Sequence, residues 1–254
     1  MDVAHLLNKY VPDGLVVLAD TQTKGRGRGG TTWESPKGCA MFTFNVGYHA
    51  ESQLGRYPAF LGYITSCAIV KTVQQMTGNA INLSIKWPND IFAPSNQIKI
   101  GGTLHDLIHN GVVVGVGLNV TNDEPTVCLN SLIKDHNITL QDKSTDEKPI
   151  AVQADIHQFL TTFLKSYTIY FKQFQKEDRG DLLQLYFDSW IHQNRVYSKN
   201  IEPENLPYDV IVKGLDYKGW LLVERVSDQL EESITPRGMS LDVLNGIIHK
   251  KPNV

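Results

Sequence analysis

Apolar positions along this chain fall into two rhythms. An unbroken run over 15–19 follows Pro12-Asp13-Gly14 and predicts a buried strand. Residues 39–46 alternate in part and are rich in β-forming types, predicting a second strand. Over 58–76 the apolar residues Leu61, Ile64, Ala68, Ile69, Val73 and Met76 recur at helical spacing, with Gly78 as a stop. Strand character returns over 83–87. Segments 100–107 and 112–120 then predict a hairpin turning at His109-Asn110-Gly111.

The stretch 130–148 is crowded with Asp, Lys, Asn and Ser and predicts a loop. Beyond it Ile156, Phe159, Leu160, Phe163, Tyr167, Tyr170, Phe171 and Phe174 keep a three-to-four spacing, which predicts a long amphipathic helix with its aromatic stripe in the core. A second helix is predicted over 181–190. Short strands at 208–212 and 221–225 follow, around the turn signal Asp216-Tyr217-Lys218-Gly219. This change of character places a domain boundary near residue 190. The expected organisation is α+β: a main domain over 1–189 with a mixed sheet and helices, and a small β-barrel-like module over 190–254.

Composition narrows the functional classes. The chain has 254 residues and a net charge of −3, so no whole-protein basic field draws it to nucleic acid. Cys39, Cys67 and Cys128 are odd in number and lack C-x-x-C spacing, arguing against a disulfide framework or zinc site. No apolar run is long enough to span a bilayer, and the first residues resemble neither a signal nor a transit peptide. A reducing, cytoplasmic setting is expected if Met1 is the true start.

The chemistry begins at Gly25-Arg26-Gly27-Arg28-Gly29-Gly30. Glycine lets a backbone approach a ligand closely, and arginine presents planar donors matched to carboxylate and phosphate oxygens. Gly25, Gly27 and Gly30 satisfy G-x-G-x-x-G after a strand, but a dinucleotide turn requires a helix next. The turn-rich 31–38 follows instead, and no Walker pattern is present. A solvated surface turn is the bland alternative for the loop alone. Lys86-Trp87-Pro88-Asn89-Asp90 and Lys99-Ile100-Gly101-Gly102 add two more cations. Arg26, Arg28, Lys86 and Lys99 together suit a carboxylate and a polyphosphate that repel each other and must meet, as in carboxylate activation by ATP. His105 and His109 lack partners at metal spacing and are read as structural or exposed.

With these motifs in order, the chain resembles the biotin–protein ligases, in particular the eukaryotic holocarboxylase synthetase type. The resemblance runs through 22–30, Trp33, Ser35-Pro36, 38–40, 86–90, 99–102 and 115–122, and covers nearly the whole chain. It implies a class II synthetase-like catalytic domain with an SH3-like C-terminal module. It implies ATP and biotin as ligands with Mg²⁺ assistance, an adenylate intermediate, and transfer to a lysine on the biotin-accepting domains of carboxylases. No resident metal site, nucleic acid or membrane partner is implied.

By the same resemblance, Gln22, Gly25, Arg26, Gly27 and Arg28 form the biotin and adenylate loop, with Arg26 nearest the activated carboxyl. Lys99 touches the biotin carboxylate and α-phosphate, and Lys86 is a second phosphate cation. Asn89 takes adenine, Trp33 packs on the nucleotide, and Asp90 handles metal or amine. Gly101, Gly102, Gly115 and Gly117 keep strands bare beneath the ligands, and Asn119 is a polar contact at the nucleotide end. Lys99, Arg26 and Lys86 are the expected catalytic residues. The chain starts at the helix that follows the family's Ser/Thr-rich biotin loop, which makes an attenuated biotin-domain binder an alternative. A lipoate or octanoyl transferase of the same fold is another.

Overall fold

A computed structural model of the chain describes residues 1–8, 10–11, 13–95, 98–108, 111–122, 124–142, 148–151, 153–200 and 206–251. Two six-stranded sheets organise it. The first contains β1 (Val16–Ala19), β2 (Cys39–Gly47), β3 (Ser84–Lys86), β4 (Asp90–Phe92), β5 (Lys99–Ile108) and β6 (Gly111–Asn119), in spatial order β1-β2-β6-β5-β4-β3. Neighbouring strands pair antiparallel. A parallel bridge from Ile85 to Trp190 supplies the mixed element at the β3 edge.

Among the described residues six helices accompany this sheet: α1 (Asp2–Asn8), α2 (Gln53–Arg56), α3 (Phe60–Met76), α4 (Leu129–Asp142), α5 (Ile156–Gln175) and α6 (Gly180–Ser189). The aromatic stripe of α5 is core, as its spacing predicts. Phe163 sets its ring edge against Phe42 and Phe44 of β2, with centroids 5.1 and 5.8 Å away. The start of α5 is held by Asp155, whose carboxylate accepts the amides of His157 and Gln158 at 2.9 and 3.0 Å. Strand β2 is buried along nearly its whole length. Its residues Ala40, Phe42, Phe44 and Val46 join the core, while Met41 and Thr43 help line a cleft.

The second sheet contains β7 (Val196–Asn200), β8 (Tyr208–Leu215), β9 (Leu221–Arg225), β10 (Glu231–Ile234), β11 (Met239–Asp242) and β12 (Ile247–Lys250), in order β10-β9-β8-β7-β12-β11. Its β7–β12 pairing is parallel, so this sheet too is mixed. Buried polar bonds tie the two sheets together. The Tyr63 hydroxyl donates to Gly219 O and accepts the Trp87 indole N–H at 3.0 Å. The backbone N–H of Trp87 donates to His192 Nε2 at 2.9 Å, and His192 Nδ1 lies 2.8 Å from the Tyr197 hydroxyl.

Two expectations change. The segment read as a loop over 130–148 is mostly α4. Leu129 and Ile133 form a narrow buried stripe, and the asparagines on α4 do backbone work. Asn130 Oδ1 accepts Ala154 N–H at 2.6 Å and its amide donates to Ala154 O at 3.1 Å. Asn137 treats Ile150 the same way, at 2.8 and 3.0 Å. Side chains that mimic a peptide partner read as loop composition. The C-terminal strands also exceed the two predicted, because β7, β10, β11 and β12 are short and their apolar residues alternate over too few positions. At the hairpin turn, His109 and Asn110 lie outside the described residues.

Candidate active site

Residues 25–33 form a miniature hairpin. Trp33 N–H donates to Gly25 O at 3.0 Å and Gly27 N–H donates to Thr31 O at 2.7 Å. A 3₁₀ turn, Arg28–Gly30, makes its tip. Gly29 and Gly30 take φ of 65° and 74°, a left-handed region that side chains resist. A Cβ at Gly25 would sit 2.1 Å from Trp33 O, so that residue is bare for loop closure rather than for ligand access.

The hairpin overhangs a cleft on the first sheet that opens to solvent and measures about 610 Å³ with the solvent at its mouth included. Of the predicted site residues, Gln22, Arg26, Gly27, Arg28, Trp33, Asn89, Asp90, Lys99, Gly102, Gly115 and Gly117 line it. Gly117 lies beneath the Trp33 ring, where a Cβ would meet Nε1 at 2.9 Å. Gly115 faces Met1, whose sulfur would be 3.0 Å from a Cβ there.

Gly25, Lys86, Gly101 and Asn119 are not on that wall. A Cβ at Gly101 would clash at 2.7 Å with Gly117 O, so its bareness serves strand packing. The buried Asn119 amide donates to Thr126 Oγ1 at 2.9 Å and secures the turn after β6. Lys86 sits behind the wall and reaches the site through Asp90.

Asp90 is the electrostatic hub. Its Oδ1 lies 2.6 Å from Lys99 Nζ and its Oδ2 3.3 Å from Lys86 Nζ. Burial alone would raise the Asp90 carboxyl, but Lys99 and Lys86 outweigh it and hold it below the usual range. Lys99 Nζ also stands 5.3 Å from the centre of the Trp33 ring.

The two loop arginines have different fates. Arg26 pairs with Asp2 at 2.6 Å on the surface, with both side chains largely exposed. Arg28 turns inward: Nη1 donates to Asn89 Oδ1 at 2.7 Å, and Nη2 donates to Pro236 O and Met239 O at 2.9 and 2.6 Å. Burial lowers its pKa. Asn89 is engaged at both ends, its Nδ2 donating to Thr103 O at 2.6 Å. His105 is structural, as its lack of ligand partners suggests. Its ring lies 3.4 Å from Thr65 Oγ1, and burial with repulsion from Arg28 pushes its pKa down to about 4.

Sequence reading missed several lining residues. Met41 and Thr43 carry no motif and reach the cleft through strand alternation, on the same face as Gly115 and Gly117, whereas Thr103 and Val116 pair with each other on the core face. On the cleft side, two buried polar atoms of lining residues have no hydrogen-bond partner among the described residues: Trp33 Nε1 and Thr43 Oγ1. Such atoms are costly unless something else satisfies them. Cationic groups at one end, bare glycines beneath and an unsatisfied threonine hydroxyl beside them fit a partly apolar ligand with a carboxylate and polar head.

Comparison with known proteins agrees with this chemistry. Residues 2–123 match the biotin/lipoate A/B protein ligase family. The chain is 34% identical to biotin–protein ligase 2 of Arabidopsis thaliana, over 98% of this chain and 73% of that protein. It is 35% identical to the human biotin–protein ligase, over 94% of this chain but 32% of the human protein. Thus it spans about a third of the human relative's length. In fold it is similar to the Aquifex aeolicus biotin protein ligase solved with biotin and ATP (TM-score 0.61, 22% identity, covering 90% of this chain and 92% of that one). It is similar also to the Leishmania major ligase solved with biotinyl-5-AMP (TM-score 0.60, 22% identity, 92% and 94% covered). Among the described residues no helix is long and apolar enough to cross a membrane.

Proposed function

Since this chain belongs to the biotin–protein ligase family, we propose that its cleft binds biotin and ATP, joins them as biotinyl-5′-AMP, and passes the biotinyl group to a carboxylase lysine. The observation that carries the proposal is the Lys99–Asp90 pair at the wall of the cleft, backed by Lys86, with bare glycines and an unsatisfied threonine hydroxyl lining it elsewhere.

In the first step a biotin carboxylate oxygen attacks the α-phosphorus of ATP, the bond to the β-phosphate oxygen breaks, and pyrophosphate leaves. Lys99 is assigned to both reacting anions, holding them together and neutralising the charge that gathers between them. Asp90 keeps the Lys99 and Lys86 ammonium groups in place. The Thr43 hydroxyl is assigned to the polar ring of biotin, and Trp33 to the nucleotide side. Asn89 positions Arg28 rather than reaching out to adenine, because both ends of its amide are already engaged. Arg26 is free to turn to the carboxyl, since an exposed ion pair such as Arg26–Asp2 is worth only about 0–1 kcal/mol.

In the second step a lysine amine attacks the mixed anhydride carbonyl and AMP leaves. A free lysine has a pKa of about 10.4, so only about 0.04% is neutral at pH 7. Repulsion from Lys99 and Arg28 pushes the incoming ammonium toward the neutral, nucleophilic form. Mg²⁺ fits here only as a companion of the nucleotide: Asp90 is the single carboxylate on the described lining, and its oxygens are taken by two lysines. Buried, unpaired Cys39, Cys67 and Cys128 suit a reducing compartment such as the cytoplasm. We also divide the chain at residue 190 into a catalytic unit and an SH3-like unit. The start of the second sheet at β7 supports that division.

Incubating the chain with ATP, an apo biotin-accepting domain and either labelled biotin or labelled lipoate tests the reading. Transfer of biotin only is the expected result. Transfer of lipoate only would assign a lipoate transferase, and complex formation without transfer a non-catalytic binder.

A further inference from the structure

Trp87 sits inside the Lys86–Asp90 turn with no exposed surface, and both of its N–H groups are engaged. Its indole donates to the Tyr63 hydroxyl at 3.0 Å, and its backbone N–H donates to His192 Nε2 at 2.9 Å. The second bond differs in kind from its neighbours. The segment after α6 runs beside β3 as a parallel partner, bridging Ile85 to Trp190, and Ile191 N–H donates to Ile85 O at 3.0 Å. Continued for one more residue, that ladder would bring Trp87 N–H a carbonyl. It meets an imidazole nitrogen instead. An imidazole accepts only while it is neutral, with its proton on the other nitrogen.

The surroundings of His192 keep it in that form. The residue is fully buried, and its Nδ1 lies 2.8 Å from the Tyr197 hydroxyl, which holds the proton there. The rings of Trp190 and Tyr197 stand edge-on to it, each with its centroid 5.8 Å away. Burial first, then repulsion from Lys86 and Arg195, pushes its pKa down to about 3. Near pH 7 the ring therefore always presents Nε2 to Trp87 as an acceptor.

The wall of the cleft hangs on this acceptor. Trp87 lies between Lys86, which pairs across the turn with Asp90, and Asn89, which holds Arg28. Asp90 in turn braces Lys99 at 2.6 Å. Building on the ligase reading, we propose that His192 is a positioning residue for adenylation: accepting Trp87 N–H from behind, it fixes the turn so that Asp90 aims Lys99 at the reacting anions. His192 itself lies off the cleft lining and touches neither ligand.

The test compares two variants in the full chain. His192→Leu fills much of the ring's volume but removes the acceptor, whereas His192→Gln keeps an acceptor at the Nε2 position. Biotin-dependent pyrophosphate–ATP exchange is measured at a temperature where melting curves show both folded. His192→Leu is expected to lower kcat about tenfold or more, because small misplacements of a reacting group cost that much. KM for ATP and for biotin is expected to stay within about threefold, and His192→Gln to recover kcat to within about threefold of wild type. In a Lys99→Met background His192→Leu is expected to add almost nothing, since both act through one ammonium. An unchanged kcat in folded His192→Leu, a His192→Gln as slow as His192→Leu, or a full further loss on top of Lys99→Met would overturn the assignment.

Should His192→Leu fail to fold, Tyr197→Phe decides, because it releases the Nδ1 proton. A fall in kcat of about threefold then supports the assignment, and an unchanged kcat refutes it. Should wild type show no biotin-dependent exchange, the ligase reading fails separately. The ¹³Cε signal of Lys99 in a lysine-labelled chain then decides His192 alone. A shift in His192→Leu that His192→Gln restores supports it, and an unmoved or unrestored signal refutes it.

Discussion

Arg28 and Asn89, 61 positions apart in sequence, meet side chain to side chain, Nη1 donating to Oδ1 at 2.7 Å. This bond joins the glycine-arginine hairpin to the Lys86–Asp90 turn. The other end of the Asn89 amide joins both to β5 through Thr103 O. Asn89→Ala strands a buried guanidinium N–H and a carbonyl together, and is expected to cost about 1–3 kcal/mol of stability. Combined with Arg28→Lys, the losses measured by denaturant unfolding are expected to be less than additive, since both remove the same bond. Strict additivity would show that the two side chains do not cooperate.

Thr43 carries a hydroxyl with no partner among the described residues. Replacing it by valine keeps the shape and removes an unsatisfied buried group. Unfolding free energy is expected to stay level or rise by up to about 1 kcal/mol. Biotin affinity, measured by calorimetry, is expected to fall about 5- to 30-fold as a ligand hydrogen bond is lost. Stability and affinity falling together would mean that the hydroxyl serves the fold.

Gly117 and Gly101 separate ligand access from packing. Gly117→Ala pushes on the Trp33 ring, a side chain that can move, so weaker nucleotide and biotin binding with little change in stability is expected. Gly101→Ala drives a methyl group to 2.7 Å from Gly117 O, a backbone atom between paired strands. Its expected effect is a stability loss of about 1–3 kcal/mol seen in thermal or denaturant unfolding.

His192 predicts how stability depends on pH. It accepts Trp87 N–H at Nε2, so the proton sits on Nδ1 and donates toward the Tyr197 hydroxyl. Burial, with repulsion from Lys86 and Arg195, pushes its pKa down to about 3. Unfolded histidine titrates near 6.5, so as pH falls below that value the unfolded state gains a proton that the native state refuses. Stability is therefore full above about pH 6.5 and falls on acidification, by about 2 kcal/mol per such histidine at pH 5. His105, held near 4, adds a second share. His192→Gln is expected to flatten the slope of unfolding free energy between pH 7 and 5 by about half.

Much of this site is visible in the sequence because its groups sit on short motifs where a loop must bend or a strand must be bare. The hairpin at 25–33 and the Lys86–Asp90 turn meet as their residue types suggest. What the motifs do not show is direction. Arg26 and Arg28 look equivalent, yet Arg26 sits in the hairpin ladder opposite Thr32 and is exposed beside Asp2, whereas Arg28 opens the 3₁₀ turn at the tip and spans two sheets. Lys86 appears as a wall cation and stands behind Asp90, since it lies directly across from Asp90 on the edge strand β3, one strand farther from the cleft. Lys251 has no motif at all. Only the closure of the second sheet over the hairpin brings it to the cleft.

Biotin-dependent exchange of labelled pyrophosphate into ATP by wild type and Lys99→Met is the decisive comparison. Wild type is expected to catalyse exchange with biotin and not with lipoate. Lys99→Met is expected to lose about a hundredfold or more in rate while remaining folded, as sites do when a cation aimed at developing charge is removed. Exchange at the wild-type rate in folded Lys99→Met would contradict the view that this lysine, braced by Asp90, brings the two anions together.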